Sequence, residues 1–147
     1  MALPVKLAKD HAALLHSPDP NLAANKKMVY DFYRIVLRGR RLDEAEKYMH
    51  DDYMQHNPNA ETGVKGFKEF FSKLGGPLPV LETLVDLVSI QAEGDMVTLS
   101  FLREHDDPAN PGQKYTTTWF DMFRIERGKI AEHWDPATKP IPVAKHG

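Results

Sequence analysis

"FDMFRIERGKIAEHWD", residues 120–135, decides the fold. Two runs rich in aromatic and aliphatic residues flank Glu126-Arg127-Gly128, so the stretch reads as a β-hairpin. We take the turn as a three-residue loop with Gly128 in the left-handed bulge position. Ile125 then lies opposite Lys129, and Asp121 opposite His133. Side chains alternate along a strand. Trp119, Asp121, Phe123, Ala131, His133 and Asp135 therefore share one face, and Phe120, Met122, Ile130 and Trp134 the other. A two-residue turn would shift the register by one and set Trp134 opposite Asp121 instead.

Outward from this hairpin, the C-terminal half reads as an antiparallel meander. Residues 80–92, 96–105, 114–126 and 129–135 are rich in Val, Ile, Thr and aromatics. Glu93-Gly94-Asp95 supplies a second tight turn, and Asp106 to Gly112, with two prolines, a longer loop. The N-terminal half has helical spacing. Asp19 before Pro20 suits an N-cap with proline at the first helical position. Leu22, Met28, Val29, Phe32, Tyr33 and Val36 form one apolar face that Gly39 ends. A short helix near Leu42–Met49 follows. Another carries Val64, Phe67, Phe70, Phe71 and Leu74 on one side and stops at Gly75-Gly76-Pro77. Helices followed by a meander give an α+β fold, a curled sheet with helices against one face and a conical cavity between them.

The chain has 147 residues, 41% hydrophobic and 27% charged, which suits one domain with one core. We read residues 1–18 as a loosely specified N-terminal arm and 19–147 as a single domain. The net charge is -2 with no basic stripe, so no nucleic-acid role is expected. Cysteine is absent, which removes disulfides, thiolate nucleophiles and thiolate metal sites. The longest apolar run near the N-terminus, Ala12 to Leu15, is too short for a signal peptide. No segment approaches a membrane span, and a cytoplasmic protein is expected.

Asp121 stands out from the hairpin. It sits mid-strand between Phe120 and Met122, where aspartate is poorly suited. A buried carboxylate in an apolar cleft is a candidate general acid or base. The alternative is an exposed Asp121, or one bonded to Arg124. In "YMQHNPNAETG", residues 53–63, Tyr53, Gln55, His56 and Asn57 cluster polar side chains before Pro58; the stretch is either a connecting loop or the wall of a site. His133 is either a site residue or packed in the sheet, and His105, at the mouth of the long loop, is expected to be exposed. His56, His105, His133 and Asp135 are available to a metal, yet no HxH or HExxH pair occurs, and no metal is expected. No GxSxG supports a serine triad.

"YMQHNPNAETGVKGFKEFF" together with "FDMFRIERGKIAEHWD" resembles the SnoaL-like polyketide cyclases of the nuclear transport factor 2-like superfamily. Within them it is most similar to a group of predicted aldol-condensation enzymes. The resemblance spans about Asn25 to Asp135 and implies the same α+β cone. It also implies cofactor-free acid/base chemistry on a small or polyketide-like carbonyl compound: aldol cyclisation or a related enolisation. Asp121 matches the acid/base position. His56 and Asn57 become the expected oxyanion donors, and His133 would tune Asp121. Tyr53, Phe101, His105, Trp119, Phe123 and Asp135 complete the expected substrate contacts, with Asn57. The hydrolase branch uses an Asp-Arg-Asp set around one water; Arg103 and Asp121 supply part of it, with no second Asp clearly placed. A non-catalytic pocket for a hydrophobic ligand, and a hydrolase or dehydratase, are the alternative readings. Phe120, Met122, Ile130 and Trp134 on the outer sheet face suggest a homodimer through that face; the N-terminal arm or the tail KPIPVAKHG could cover it instead.

Overall fold

The computed structural model describes residues 2–140. Helix α1 (His11–Leu15) precedes α2 (Pro20–Phe32), which runs directly into a π-helical segment, Tyr33–Arg38. A short 3-10 turn at Leu42–Glu44 leads to α3 (Ala45–Tyr48), strand β1 (Met49–Gln55) and α4 (Gly63–Ser72). Strands β2 (Leu87–Glu93), β3 (Met96–Asp106), β4 (Lys114–Glu126) and β5 (Lys129–Trp134) follow. The sheet order is β1-β5-β4-β3-β2, antiparallel except for the parallel pair β1·β5. This is the expected α+β cone: an open, curved sheet with the helices on its inner face.

Local chemistry explains the helix ends. The Asp19 carboxylate accepts from the Asn21 and Leu22 amides, and Pro20 occupies the first turn. At the other end the Gly39 amide closes the π segment on the Arg34 carbonyl. A Cβ at Gly39 would lie 2.6 Å from the Ile35 carbonyl oxygen and 2.8 Å from Val80 Cγ2, so the loop after α4 can pack there only against glycine. The core runs through Val29, Phe32 and Val36 from the helices to Leu87, Val97, Leu99, Phe123 and Ile130 of the sheet. Phe32 is its hub, with ring centroids 5.9 Å from Phe67, 5.9 Å from Phe123 and 6.1 Å from Tyr48.

The arm is tied down rather than loose. Val5 N–H donates to Thr116 Oγ1, Ala8 N–H to the Leu87 carbonyl, and the buried Lys26 ammonium to the carbonyls of Leu14 and His16. The strand expected over 80–92 begins only at Leu87. Pro77 and Pro79 supply no amide donors, and Arg34 and Arg41 hold the Leu81 and Leu78 carbonyls against the helices instead. Strand β1 was not anticipated. Its polar sequence, MHDDYMQ, buries only Met49 and Tyr53 and carries little strand signal.

The hairpin departs from its expected register in an instructive way. Arg127 (φ 48°) and Gly128 (φ 73°) form a two-residue turn with both central residues left-handed. Glu126 pairs with Lys129 and Ile125 with Ile130, then the register shifts, and Arg124 pairs with Glu132. Ala131 is the extra residue of a bulge. The bulge restores the parity that the shorter turn removes. His133 therefore shares a face with Asp121 and Phe123 as expected, although it pairs with Phe123 rather than Asp121. Ile130 moves the other way: it lies fully buried in the core, not on the outer face. No helix among the described residues is long and apolar enough to cross a membrane.

Candidate functional site

The cone encloses a cavity of about 330 Å³ between α2, the π segment, α4 and the inner face of the sheet. Phe67, Phe70, Phe71, Trp119 and Phe123 make its walls apolar, while its polar groups come from the π segment, from β1, β3, β4 and β5, and from Asn57 and Asp135 just beyond β1 and β5. Asp121, only 4% exposed, is the centre of a hydrogen-bonded chain. The Tyr33 hydroxyl donates to Asp121 Oδ2 at 2.7 Å. His133 Nε2 lies 2.7 Å from Asp121 Oδ1, and His133 Nδ1 lies 2.7 Å from Gln55 Oε1. Gln55 Oε1 also accepts from the Asn57 amide at 3.0 Å, and Gln55 Nε2 donates to the Tyr53 hydroxyl at 3.0 Å. Asn57 Nδ2 donates to Asp135 Oδ2 at 2.7 Å.

This arrangement fixes where one proton must be. A backbone N–H can only donate, so the Gln55 atom facing Asn57 is the oxygen, and His133 Nδ1 carries a hydrogen. The contact between His133 Nε2 and Asp121 Oδ1 then requires one proton between two acceptors. Either an imidazolium faces a carboxylate, or a carboxyl group faces a neutral imidazole. Both forms are neutral overall and differ by a single proton hop. A buried carboxylate is tolerated because both of its oxygens are partnered.

The two tyrosines are held protonated. Burial, then the neighbouring Asp121 charge and hydrogen bond, pushes the Tyr33 phenol well above its ordinary range. Burial pushes Tyr53 up to about 12, against a smaller lowering by Gln55. Tyrosine in an unfolded chain ionises near pH 10. Folding therefore keeps these protons, and the stability they contribute is complete below about pH 10 and is lost as pH rises toward about 12 for Tyr53. The gap corresponds to about 3 kcal/mol for Tyr53. We expect the urea midpoint to fall over that window, and to fall less steeply in Tyr53→Phe and Tyr33→Phe. An unchanged slope in both variants would contradict this assignment.

Seven of the expected site residues border the cavity: Asp121, His133, Tyr53, Asn57, Trp119, Phe123 and Asp135. Three do not. His56 follows Gln55 at the end of β1, so alternation turns its ring outward, where it bonds Glu132 Oε1 at 2.7 Å and stacks on Trp134 at 4.9 Å. Glu132, which also accepts from Arg124 Nε, is held below the usual carboxylate range by these two bonds. Phe101 is fully buried behind Tyr33, with ring centroids 4.4 Å apart, because the π segment lays Tyr33 over it. His105 lies at the outer end of β3, exposed, bonded to Thr117 Oγ1 and stacked on Tyr115. Tyr33 and Arg38 border the cavity without having been singled out as site residues; Gln55, noted in the polar stretch, and Arg103, noted for the hydrolase set, border it too. Asp135 also changes the reading of the hydrolase set, since Asp121, Arg103 and a second aspartate all face one cavity.

Asp121, His133 and Asp135 each offer a ligand atom within 4.8 Å of the others. A divalent cation seated there would take the place of the shared proton. It would also compete with bonds already made, since Asp135 Oδ2 accepts from Asn57 and Oδ1 from the Ala137 amide.

The SnoaL-like domain family matches residues 29–133. No curated protein matches the chain. Among solved structures, it resembles TsrD from Streptomyces laurentii at 21% identity and TM-score 0.55, over 81% of this chain and 90% of that one. A candidate polyketide cyclase from Acidithiobacillus ferrooxidans is 22% identical with TM-score 0.57, over 82% and 89% of the two chains. An LEH-like epoxide hydrolase from M. tuberculosis is 14% identical with TM-score 0.52, over 76% and 80%. These likenesses extend the shared fold across proteins described by different chemistries. The chain belongs to the SnoaL-like domain family, within the nuclear transport factor 2-like superfamily.

Proposed function

We propose that this protein is a cofactor-free acid/base enzyme acting on a small or polyketide-like carbonyl compound, by aldol cyclisation or a related enolisation. The observation that carries this reading is the chain Tyr33–Asp121–His133–Gln55 with its one shared proton, opening into an apolar cavity. In its carboxylate form Asp121 takes a proton from the carbon beside a carbonyl, leaving an enolate. The enolate carbon then bonds to a second carbonyl carbon, and the resulting alkoxide takes a proton back. His133 keeps Asp121 supplied with its partner charge, and Gln55 fixes the tautomer that allows it. Asn57 is the donor for the enolate oxygen: one amide hydrogen binds Asp135 and the second is free to point at substrate. His56 has no part in this chemistry.

The test is a thermal-shift screen of ketones and β-dicarbonyl compounds, followed by mass spectrometry of those that bind. Isomerisation and aldol cyclisation both keep the mass and are seen as a change in retention time and fragmentation, while a dehydration after cyclisation would lose one water. A binder panel with no turned-over member would favour the non-catalytic pocket. Hydration is a second reading, supported by Asp135 joining Asp121 and Arg103 at the cavity, and would appear as the gain of one water.

The proposal extends to a homodimer through the outer sheet face. Phe120, 52% exposed, and Met122 remain there, while Ile130 is buried and His56 covers Trp134. The tail from residue 141 onward, offered above as an alternative cover, lies outside the described residues. Sedimentation should give a dimer that Phe120→Lys splits; a wild-type monomer at micromolar concentration would count against it.

A further inference from the structure

The cavity has a charge that its chemistry leaves unused. Arg103 borders it, with its guanidinium carbon 5.2 Å from the centroid of the Trp119 ring. Among the described residues Arg103 makes no ion pair or hydrogen bond, unlike Arg34, Arg38 and Arg124, which all hold carboxylates. A second guanidinium stands close by. Arg38 lies 5.4 Å over the rings of both Tyr33 and Phe101, and Phe101 pairs directly with Trp119. Arg38 is paired with Asp86, but its Nε is buried with no partner. Two guanidiniums thus border the cavity, and only Arg38 is paired with a carboxylate.

We propose that the compound this cavity takes carries an anionic oxygen group, a carboxylate or an ionised enol or phenol, and that Arg103 binds it. The distance follows from the register. Leu99 pairs with Asp121 and Phe101 with Trp119, one step of two residues along β4. With Arg103 folded over Trp119, the anion site lies about 7 Å along the strands from the Asp121 carboxyl. A guanidinium with one face on an indole is partly stripped of water and offers its edge as a planar fork, the geometry that suits a carboxylate. The placement of the reacting carbon rests on the acid/base reading above; the anion preference itself does not.

The probes are 4-acetylbenzoate and its uncharged methyl ester, with binding followed by calorimetry. Wild type should prefer the acid by roughly ten- to a hundredfold. Arg103→Gln should abolish that preference while leaving ester affinity and thermal stability unchanged, and Arg103→Lys should keep part of it. Asp121→Asn should retain the preference in full. An acid preference that survives in Arg103→Gln would overturn the proposal, as would failure of both probes to bind wild type at millimolar concentration. Deuteration of the acetyl methyl group in the same samples is scored separately. An Arg103-dependent preference without deuteration would uphold the anion site and count against the acid/base reading.

Discussion

Asp121→Asn is expected to lower turnover by about 10²–10⁴-fold, the usual contribution of a positioned proton-transfer group, while leaving the fold nearly intact. The structure gives the reason for both halves. Asparagine reproduces the protonated form of Asp121: its carbonyl accepts from Tyr33, and its amide donates to His133 Nε2 while Nδ1–H stays on Gln55. Every existing hydrogen bond of the network is retained, and the amide adds one further N–H donor. What is lost is the proton hop, since an amide neither takes nor returns the proton. Thermal melts should therefore nearly coincide while rates diverge. Activity within a few-fold of wild type would remove Asp121 from the chemistry. A collapse of the fold would mean that its charge, not its shape, holds the sheet to the helices.

Phe32→Ala should have the largest effect on stability, about 3–5 kcal/mol. Phe32 is 1% exposed and joins α2 to α3, α4 and β4 through its contacts with Tyr48, Phe67 and Phe123. Removing the ring deletes the contacts of all three neighbours at once and enlarges the cavity it borders. Against a typical domain stability of about 5–15 kcal/mol, the melting temperature should drop by roughly 6–20 °C. A drop below about 2 kcal/mol by urea titration would mean that the cone closes around the gap, in contrast to ordinary close-packed cores.

The parts of this fold that obey simple periods were readable in the sequence. Asp19-Pro20 marked the start of α2, and the apolar spacing of Val29, Phe32 and Val36 marked its buried face. The alternation around Asp121 gave the cavity face of β4. What escaped were the places where the period breaks or is silent. Tyr33, the first residue of the π segment, stays in the buried apolar stripe, yet its hydroxyl reaches Asp121. Nothing in a helical pattern distinguishes that tyrosine from a core residue. The bulge at Ala131 offsets a turn one residue shorter than assumed, which is why the His133 face was right and the Ile130 face wrong. Strand β1 is polar and pairs in parallel with the last strand, a contact between residues about 80 apart in the chain that local pattern cannot encode. Missing it also misplaced His56: once β1 runs alongside β5, Gln55 must point in with His133, and His56 out with Trp134.

In the proposed chemistry Asp121, bridged to His133 by one proton, moves a proton at a carbon beside a carbonyl. The most direct measurement is deuterium incorporation at that carbon in D₂O, followed by NMR for the carbonyl compounds that bind, in wild type and Asp121→Asn. Exchange should run well above the buffer rate in wild type and near the buffer rate in the variant, with ligand affinity unchanged. Equal exchange in the two proteins, or none above buffer for any bound carbonyl compound, would contradict this chemistry.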